Sequence, residues 1–339
     1  MQRREFLAGL AAIGASALVP DILDGAQTRP AAPAFRIDVH NHGNSPGFIA
    51  AIKAHNTGQT ALMNWTPAKA LEDMDRDGVA TVIMSTSEPG VHFGDAAAAR
   101  ALARECNEYF ARLVSDRPTR FGMFATLPLP DVDGALREIE YAFDTLKADG
   151  VCFMSSYEGK YLGDPAFARV MDELNRRKAV CYTHPFRGGM INMLPEGRAL
   201  GVTLSTETTL TIQSILYTNT ATRCPDIRFI WSHGGGTAPY ITSRLGAAVG
   251  PDGKPNANLA ALQKFYYDTA QAFNPYTMPS FKKFVPTSQI LFGTDFPLGG
   301  GSAAVVAKGL RDNGGFTDAE LRAIERENAL KLLPRLGRT

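Results

Sequence analysis

Short runs of apolar, β-branched and aromatic residues recur along the chain, and stretches with helical spacing separate them. The runs Phe35–His40, Ala80–Ser85, Phe121–Thr126, Gly150–Ser155, Ala179–Thr183, Ile227–Ser232, Phe265–Thr269 and Gln289–Gly293 read as strands. Several are almost continuously apolar rather than alternating, the pattern of parallel strands covered on both faces. Between them, Pro67–Asp77 follows Thr66 as an N-cap and starts on the proline favoured at a first helical position. Asp95–Val114 is alanine-rich, and Val132–Ala148 has apolar residues at mixed helical spacing. Pro165–Arg177, capped by Asp164, puts Phe167, Val170, Met171 and Leu174 on one stripe. Glu207–Arg223, Ala238–Leu245, Pro275–Phe284 and Ala303–Asp312 fill the later gaps, and Asp318–Leu333 forms a last helix that stops at Pro334.

This alternation predicts an α/β fold: a single-domain (β/α)8 TIM barrel, about 250 residues plus insertions, with a C-terminal helix. An open doubly wound sheet is the alternative. That fold carries a glycine-rich turn after its first strand, whereas here the strand runs into His40-Asn41-His42-Gly43. Gly43–Trp65 shows no strand pattern and is expected to be a long loop over the barrel mouth, where lids are common.

Residues 1–34 follow a different pattern. Arg3-Arg4 precedes an uncharged run, Phe6–Val19, and small residues follow it. That is the order of an export signal, and the paired arginine resembles the twin-arginine type. The run is shorter than the roughly 20 residues that cross a bilayer. The expectation is a cleaved signal over 1–34, a barrel domain over 35–339, a periplasmic location and no membrane association afterwards. A membrane anchor or a chance apolar helix is the alternative.

The composition is that of a globular protein, 45% hydrophobic and 20% charged. Lys+Arg is 35 against Asp+Glu 34, a formal net charge of +1. Such a balance lacks the basic footprint of a nucleic-acid binder, so the expected partner is a small molecule. Cys106, Cys152, Cys181 and Cys224 have no close C-x-x-C pairing, and Cys152 and Cys181 fall inside strand runs. They are expected to be buried free thiols, although an oxidising compartment would permit disulfides.

The positions of the histidines sharpen the picture. His40 and His42 close the first strand two residues apart, so both side chains face one side. His184 closes the fifth, His233 the sixth and Asp295 the eighth. Any one of these histidines alone reads as readily as a buried core residue. Together they fall at the strand ends where barrel enzymes gather their chemistry, and imidazole with carboxylate suits zinc, manganese or iron. Asp38 shares the parity of His40 and is a candidate acceptor behind a ligand histidine; a strand carboxylate satisfied by backbone or water is the equal alternative. His55 lies in the first loop beside Lys53 and is a candidate substrate contact, with an exposed loop histidine the commoner case. His92 is read as an ordinary loop histidine.

Asp38-Val-His40-Asn-His42, Thr183-His184-Pro185, Ser232-His233-Gly-Gly-Gly and Gly293-Thr-Asp295-Phe-Pro297 together resemble the amidohydrolase superfamily. The similar branch is that of aminocarboxymuconate-semialdehyde decarboxylase and the aromatic-acid decarboxylases, and the resemblance spans roughly 35–336. It implies that His40, His42, His184 and Asp295 bind one divalent metal, zinc or else manganese, and that His233 acts with Asp295 as catalytic acid/base. It also implies a homodimer. The fourth strand has no lysine, against the binuclear hydrolase branch. Gly43–Trp65 lacks the arginine that often grips the substrate carboxylate in the decarboxylases; only Lys53 and His55 are available there. The implied reaction is nonoxidative decarboxylation of an aromatic or enoic acid. Hydrolysis of a lactone, amide or ester would use the same residues, and an exported binding protein on a decayed barrel would be expected to have lost one of them.

Overall fold

The computed structural model describes residues 35–187, 200–299 and 301–337. The export signal expected over 1–34 lies outside them. Eight strands form one sheet in chain order: β1 (Arg36–His42), β2 (Val79–Ser85), β3 (Phe121–Thr126), β4 (Gly150–Met154), β5 (Val180–His184), β6 (Arg228–Trp231), β7 (Tyr266–Asp268) and β8 (Ile290–Leu291). Every neighbouring pair is parallel. The ends of the sheet meet through Val39 N–H to Phe292 O (3.0 Å), Asp295 N–H to His40 O (2.8 Å) and His42 N–H to Phe296 O (2.7 Å). The sheet is therefore a closed (β/α)8 barrel, as the alternation of the chain predicts.

Two apolar layers hold it together. Ile37, Ile83, Phe124, Tyr182, Ile230 and Leu291 fill the inside and pack against Leu332, Leu333 and Leu336 of the C-terminal segment. The opposite strand faces, including Met84, Phe153, Phe229 and Trp231, pack against the surrounding helices. The side chains are interdigitated and buried on both faces, which is why the strand runs read as continuous rather than alternating. Cys152, Cys181 and Cys224 are free and buried in these layers, and Cys106 is free and buried in a separate cluster with Phe48 and Ile52. No helix of the described residues is long and apolar enough to cross a membrane.

The structure departs from the expected elements in four places. Gly43–Trp65 is not an irregular loop: it contains α1 (Pro46–Ala54) and a single turn over Thr60–Met63. Ser45 caps α1 by accepting from Phe48 N, and Pro46 occupies its first turn. The helix expected over Ala238–Leu245 is only a 3-10 turn, Thr242–Leu245. An unanticipated helix, Ala257–Lys264, begins instead at the Asn256 N-cap. The predicted Glu207–Arg223 starts earlier, as the helix Leu200–Tyr217, and breaks at left-handed Asn219 before Thr220–Arg223.

Candidate metal centre

His40 and His42 end β1, His184 ends β5, and Asp295 follows β8 after Gly293-Thr294. One ligand atom from each of the four lies within 4.8 Å of the others, and all four residues are buried. His40 Nε2 and His42 Nε2 stand 3.1 and 3.0 Å from Asp295 Oδ1, and His184 Nε2 stands 3.9 Å away. His40 Nε2 is wholly enclosed yet is not in hydrogen-bonding geometry with any partner.

Each outer ring nitrogen faces an acceptor. His40 Nδ1 is 2.7 Å from Asp268 Oδ2, His42 Nδ1 is 3.4 Å from Ser85 O, and His184 Nδ1 is 2.9 Å from Pro185 O. A proton held on each Nδ1 leaves the three Nε2 lone pairs aimed at a common point, the arrangement that orients metal-binding imidazoles. Three such nitrogens, one of them enclosed and without a hydrogen-bond partner, together with a carboxylate oxygen fit one divalent cation.

Without that cation the charges sort sharply. Burial lowers His42, and it lowers His184 to about 3. Burial also works against a charged His40, but Asp268 and Asp295 outweigh it and hold His40 up at about 10. Burial opposes the charge on Asp295 too, yet His40, His184 and His233 keep its carboxyl well below the usual range.

His233 follows β6 and sits on the other oxygen, its Nε2 3.3 Å from Asp295 Oδ2. Its backbone is left-handed at φ 53°, and Gly234, Gly235 and Gly236 continue the positive-φ path. At Gly236 a Cβ would fall 2.2 Å from Ser205 O, so the turn needs a residue without one. The His233 N–H donates to Asp268 Oδ1 (2.9 Å), so one carboxylate supports both His40 and His233. Asp295 is also left-handed, at φ 64°. Two non-glycine residues in this sparsely populated region, facing one another, mark stored strain at the site.

Asp268 was not among the residues that the sequence singled out, and Asp38 does not act in its place. The register of β1 on β2 slips between Asp38 (opposite Val82) and Asn41 (opposite Met84). This bulge breaks the strict alternation of side chains. Asp38 is left on the helix-facing side with Ala70, Met74, Asn41 and Thr294. There it accepts from Thr294 Oγ1 (2.6 Å), Thr294 N (3.1 Å), His40 N (3.0 Å) and Asn41 Nδ2 (3.1 Å). It fastens β1 to the residues after β8 and touches no imidazole ring.

His55 is exposed at the end of α1, and its ring stacks on Phe93 at 4.3 Å. His92 pairs with Glu158 at 3.1 Å. Neither ring joins the cluster of four. Two further residues at the mouth were also not anticipated. Gln271 donates its amide N–H to Asp295 Oδ2 (3.1 Å). Arg187, just beyond His184, pairs through Nε with buried Glu88 and supplies the arginine that Gly43–Trp65 lacks.

The sequence pattern of the family described as amidohydrolase matches residues 37–335. Among characterised proteins, the 6-methylsalicylic acid decarboxylase of Aspergillus aculeatus is 36% identical over 332 residues, covering 89% of this chain and 97% of that one. A decarboxylase of Aspergillus niger is 35% identical over 325 residues, covering 88% of each. Among solved structures, a dihydroxybenzoic acid decarboxylase from Polaromonas sp., bound to manganese and 2-nitroresorcinol, shares the fold with a TM-score of 0.73. It is 21% identical, and the match covers 88% of this chain and 97% of that one. The pattern match spans nearly the whole barrel, from β1 into the C-terminal segment, and the chain belongs to the amidohydrolase family.

Proposed function

We propose that the protein catalyses nonoxidative decarboxylation of a small aromatic acid of the 2-hydroxybenzoate class. The observation that carries this reading is the near full-length similarity to a 6-methylsalicylic acid decarboxylase, in a chain whose His40, His42, His184 and Asp295 converge as a complete ligand set. Those four residues would hold one divalent metal. When bound, the metal supplies a Lewis acid for the substrate's carboxylate and neighbouring oxygen.

In the reaction the bond between the ring carbon and the carboxyl carbon breaks. CO2 leaves, its electron pair stays on the ring carbon, and a proton joins that carbon. The His233–Asp295 pair is the candidate proton source, since His233 Nε2 and Asp295 Oδ2 lie 3.3 Å apart at the open side of the cluster. A positioned donor of this kind contributes roughly 10²–10⁴-fold. The buried walls exclude bulk water and strengthen the charges acting on the ring.

The test is incubation of metal-loaded protein with 6-methylsalicylate and 2,6-dihydroxybenzoate in D2O. The expected outcome is CO2 release with one deuterium at the vacated ring carbon. Acid release from lactones or esters, without CO2 from any aryl acid, would replace this reading with hydrolysis. The metal is read as zinc, with manganese as the alternative; both suit this donor set, and elemental analysis of purified protein decides between them.

Two broader readings accompany this. The Arg3-Arg4 segment supports export to the periplasm, tested by whether Lys substitutions at both arginines keep the protein in the cytoplasm. A homodimer is checked by light scattering of the purified chain.

A further inference from the structure

We propose that Gln271 is a positioning residue that fixes the orientation of Asp295. Its amide N–H donates to Asp295 Oδ2 at 3.1 Å, while Asp295 Oδ1 faces His40 and His42 at 3.1 and 3.0 Å. A carboxylate turns easily about its last torsion, which has broad two-fold wells. Something must therefore hold one oxygen towards the imidazoles and the other towards the mouth. His233 Nε2 lies near the same Oδ2 at 3.3 Å, but a ring nitrogen donates or accepts according to its tautomer. The amide nitrogen of Gln271 donates in every state, so it is the constant hold on the outer oxygen.

The backbone around Gln271 is arranged to deliver that amide. Gln271 is left-handed, at φ 56°, a conformation unfavourable for a residue with a side chain. It is exposed, so burial of its own side chain does not account for the strain. The turn before it is pinned by Asp268 Oδ1, which accepts from Ala270 N (3.0 Å), and by Thr269 O, which accepts from Ala272 N (3.1 Å). Thr269 Oγ1 in turn holds Gly293, donating to its O at 3.1 Å and accepting from its N at 3.0 Å. The same strand end that supports His40 thus aims Gln271 at Asp295. Strain kept at an exposed position that contacts a buried functional group belongs to function rather than stability.

The experiment compares Gln271→Met, which keeps the length without a donor, and Gln271→Gly, which relieves the backbone. Mn2+ is titrated calorimetrically into chelator-stripped protein, and melting temperature is recorded. Both variants should bind Mn2+ about ten-fold more weakly, the scale of losses behind metal ligands, and Gln271→Gly should melt at or above the temperature of the unaltered protein. The kinetic arm rests on the decarboxylase reading: with 6-methylsalicylate, kcat should fall about ten-fold or more with KM little changed. Mn2+ affinity and kcat both within two-fold of the unaltered protein in Gln271→Met would overturn the proposal. So would a Gln271→Gly variant that loses stability and activity in parallel. If the unaltered protein releases no CO2 while Gln271→Met still weakens Mn2+ binding, the decarboxylase reading fails and the role of Gln271 stands.

Discussion

Asp268 Oδ2 lies 2.7 Å from His40 Nδ1, and both side chains are wholly buried. The contact keeps a proton on Nδ1 of His40, so the proton that a metal displaces is the one on Nε2. Asp268→Asn keeps the size and removes the charge. Metal content and turnover should each fall by about 10–100-fold in affinity or rate, read by elemental analysis and CO2 release. Full metal occupancy with unchanged turnover would remove Asp268 from the centre.

His233 and Asp295 separate the proton from the metal. His233→Ala should cut turnover by roughly 10²–10⁴-fold while the protein retains its metal, because His233 lies beside Asp295 Oδ2 rather than among the converging Nε2 atoms. Asp295→Ala should lose both metal and turnover. A His233→Ala protein that still decarboxylates at the full rate would refute the assignment.

In the metal-free protein His40 is held up at about 10 by Asp268 and Asp295 against the effect of burial. A cation entering the cluster must displace that proton. Apparent Mn2+ affinity should therefore rise with pH from 6 towards 10, by about ten-fold per unit while one proton competes. The metal-free fold behaves in the opposite sense. The folded value lies above the ordinary 6.5, so this stabilisation is complete below pH 6.5 and is lost as pH rises through about 10. Calorimetric titrations in buffers of different ionisation heat would count the released proton, and a pH-independent affinity would contradict it.

Gly293 sits between the two walls of the centre. A Cβ there would lie 2.8 Å from the Cβ of Asp268 and 2.9 Å from that of His40. Gly293→Ala should cost about 1–3 kcal/mol through overpacking and should lower metal content by prising the Asp268–His40 pair apart. Melting temperature and elemental analysis are the measurements, and unchanged values in both would show that the strands can yield.

Much of this was legible along the chain. The eight strand runs gave the barrel, and histidines at strand ends marked the mouth, because barrel topology turns a strand-end position into a spatial one. Asp268 was not legible: it is one acidic residue at the end of a short strand, with no spacing signal to tie it to His40. Of the two readings of Asp38, the strand carboxylate satisfied by backbone is the one found; parity alone could not choose it, because parity assumes an uninterrupted strand and the bulge before Asn41 breaks that assumption. The helix Pro46–Ala54 could have been found from Ser45 and Pro46, a cap and a first-turn proline. Gln271 has no such signal, since its left-handed backbone follows a turn pinned at the end of β7 and to Gly293 beyond β8.

The barrel closes where its first strand meets its last, and the ligands straddle that seam: His42 and Asp295 are 253 positions apart. A growing chain therefore has no complete metal cage until almost its whole length has been synthesised and has wrapped round upon itself. Contacts of such long sequence separation form late, after the entropy of ordering the intervening chain has been overcome. Metal loading thus reports that the two ends of the sheet have met, and a chain cut short before β8 would have three imidazoles without Asp295 to complete the set.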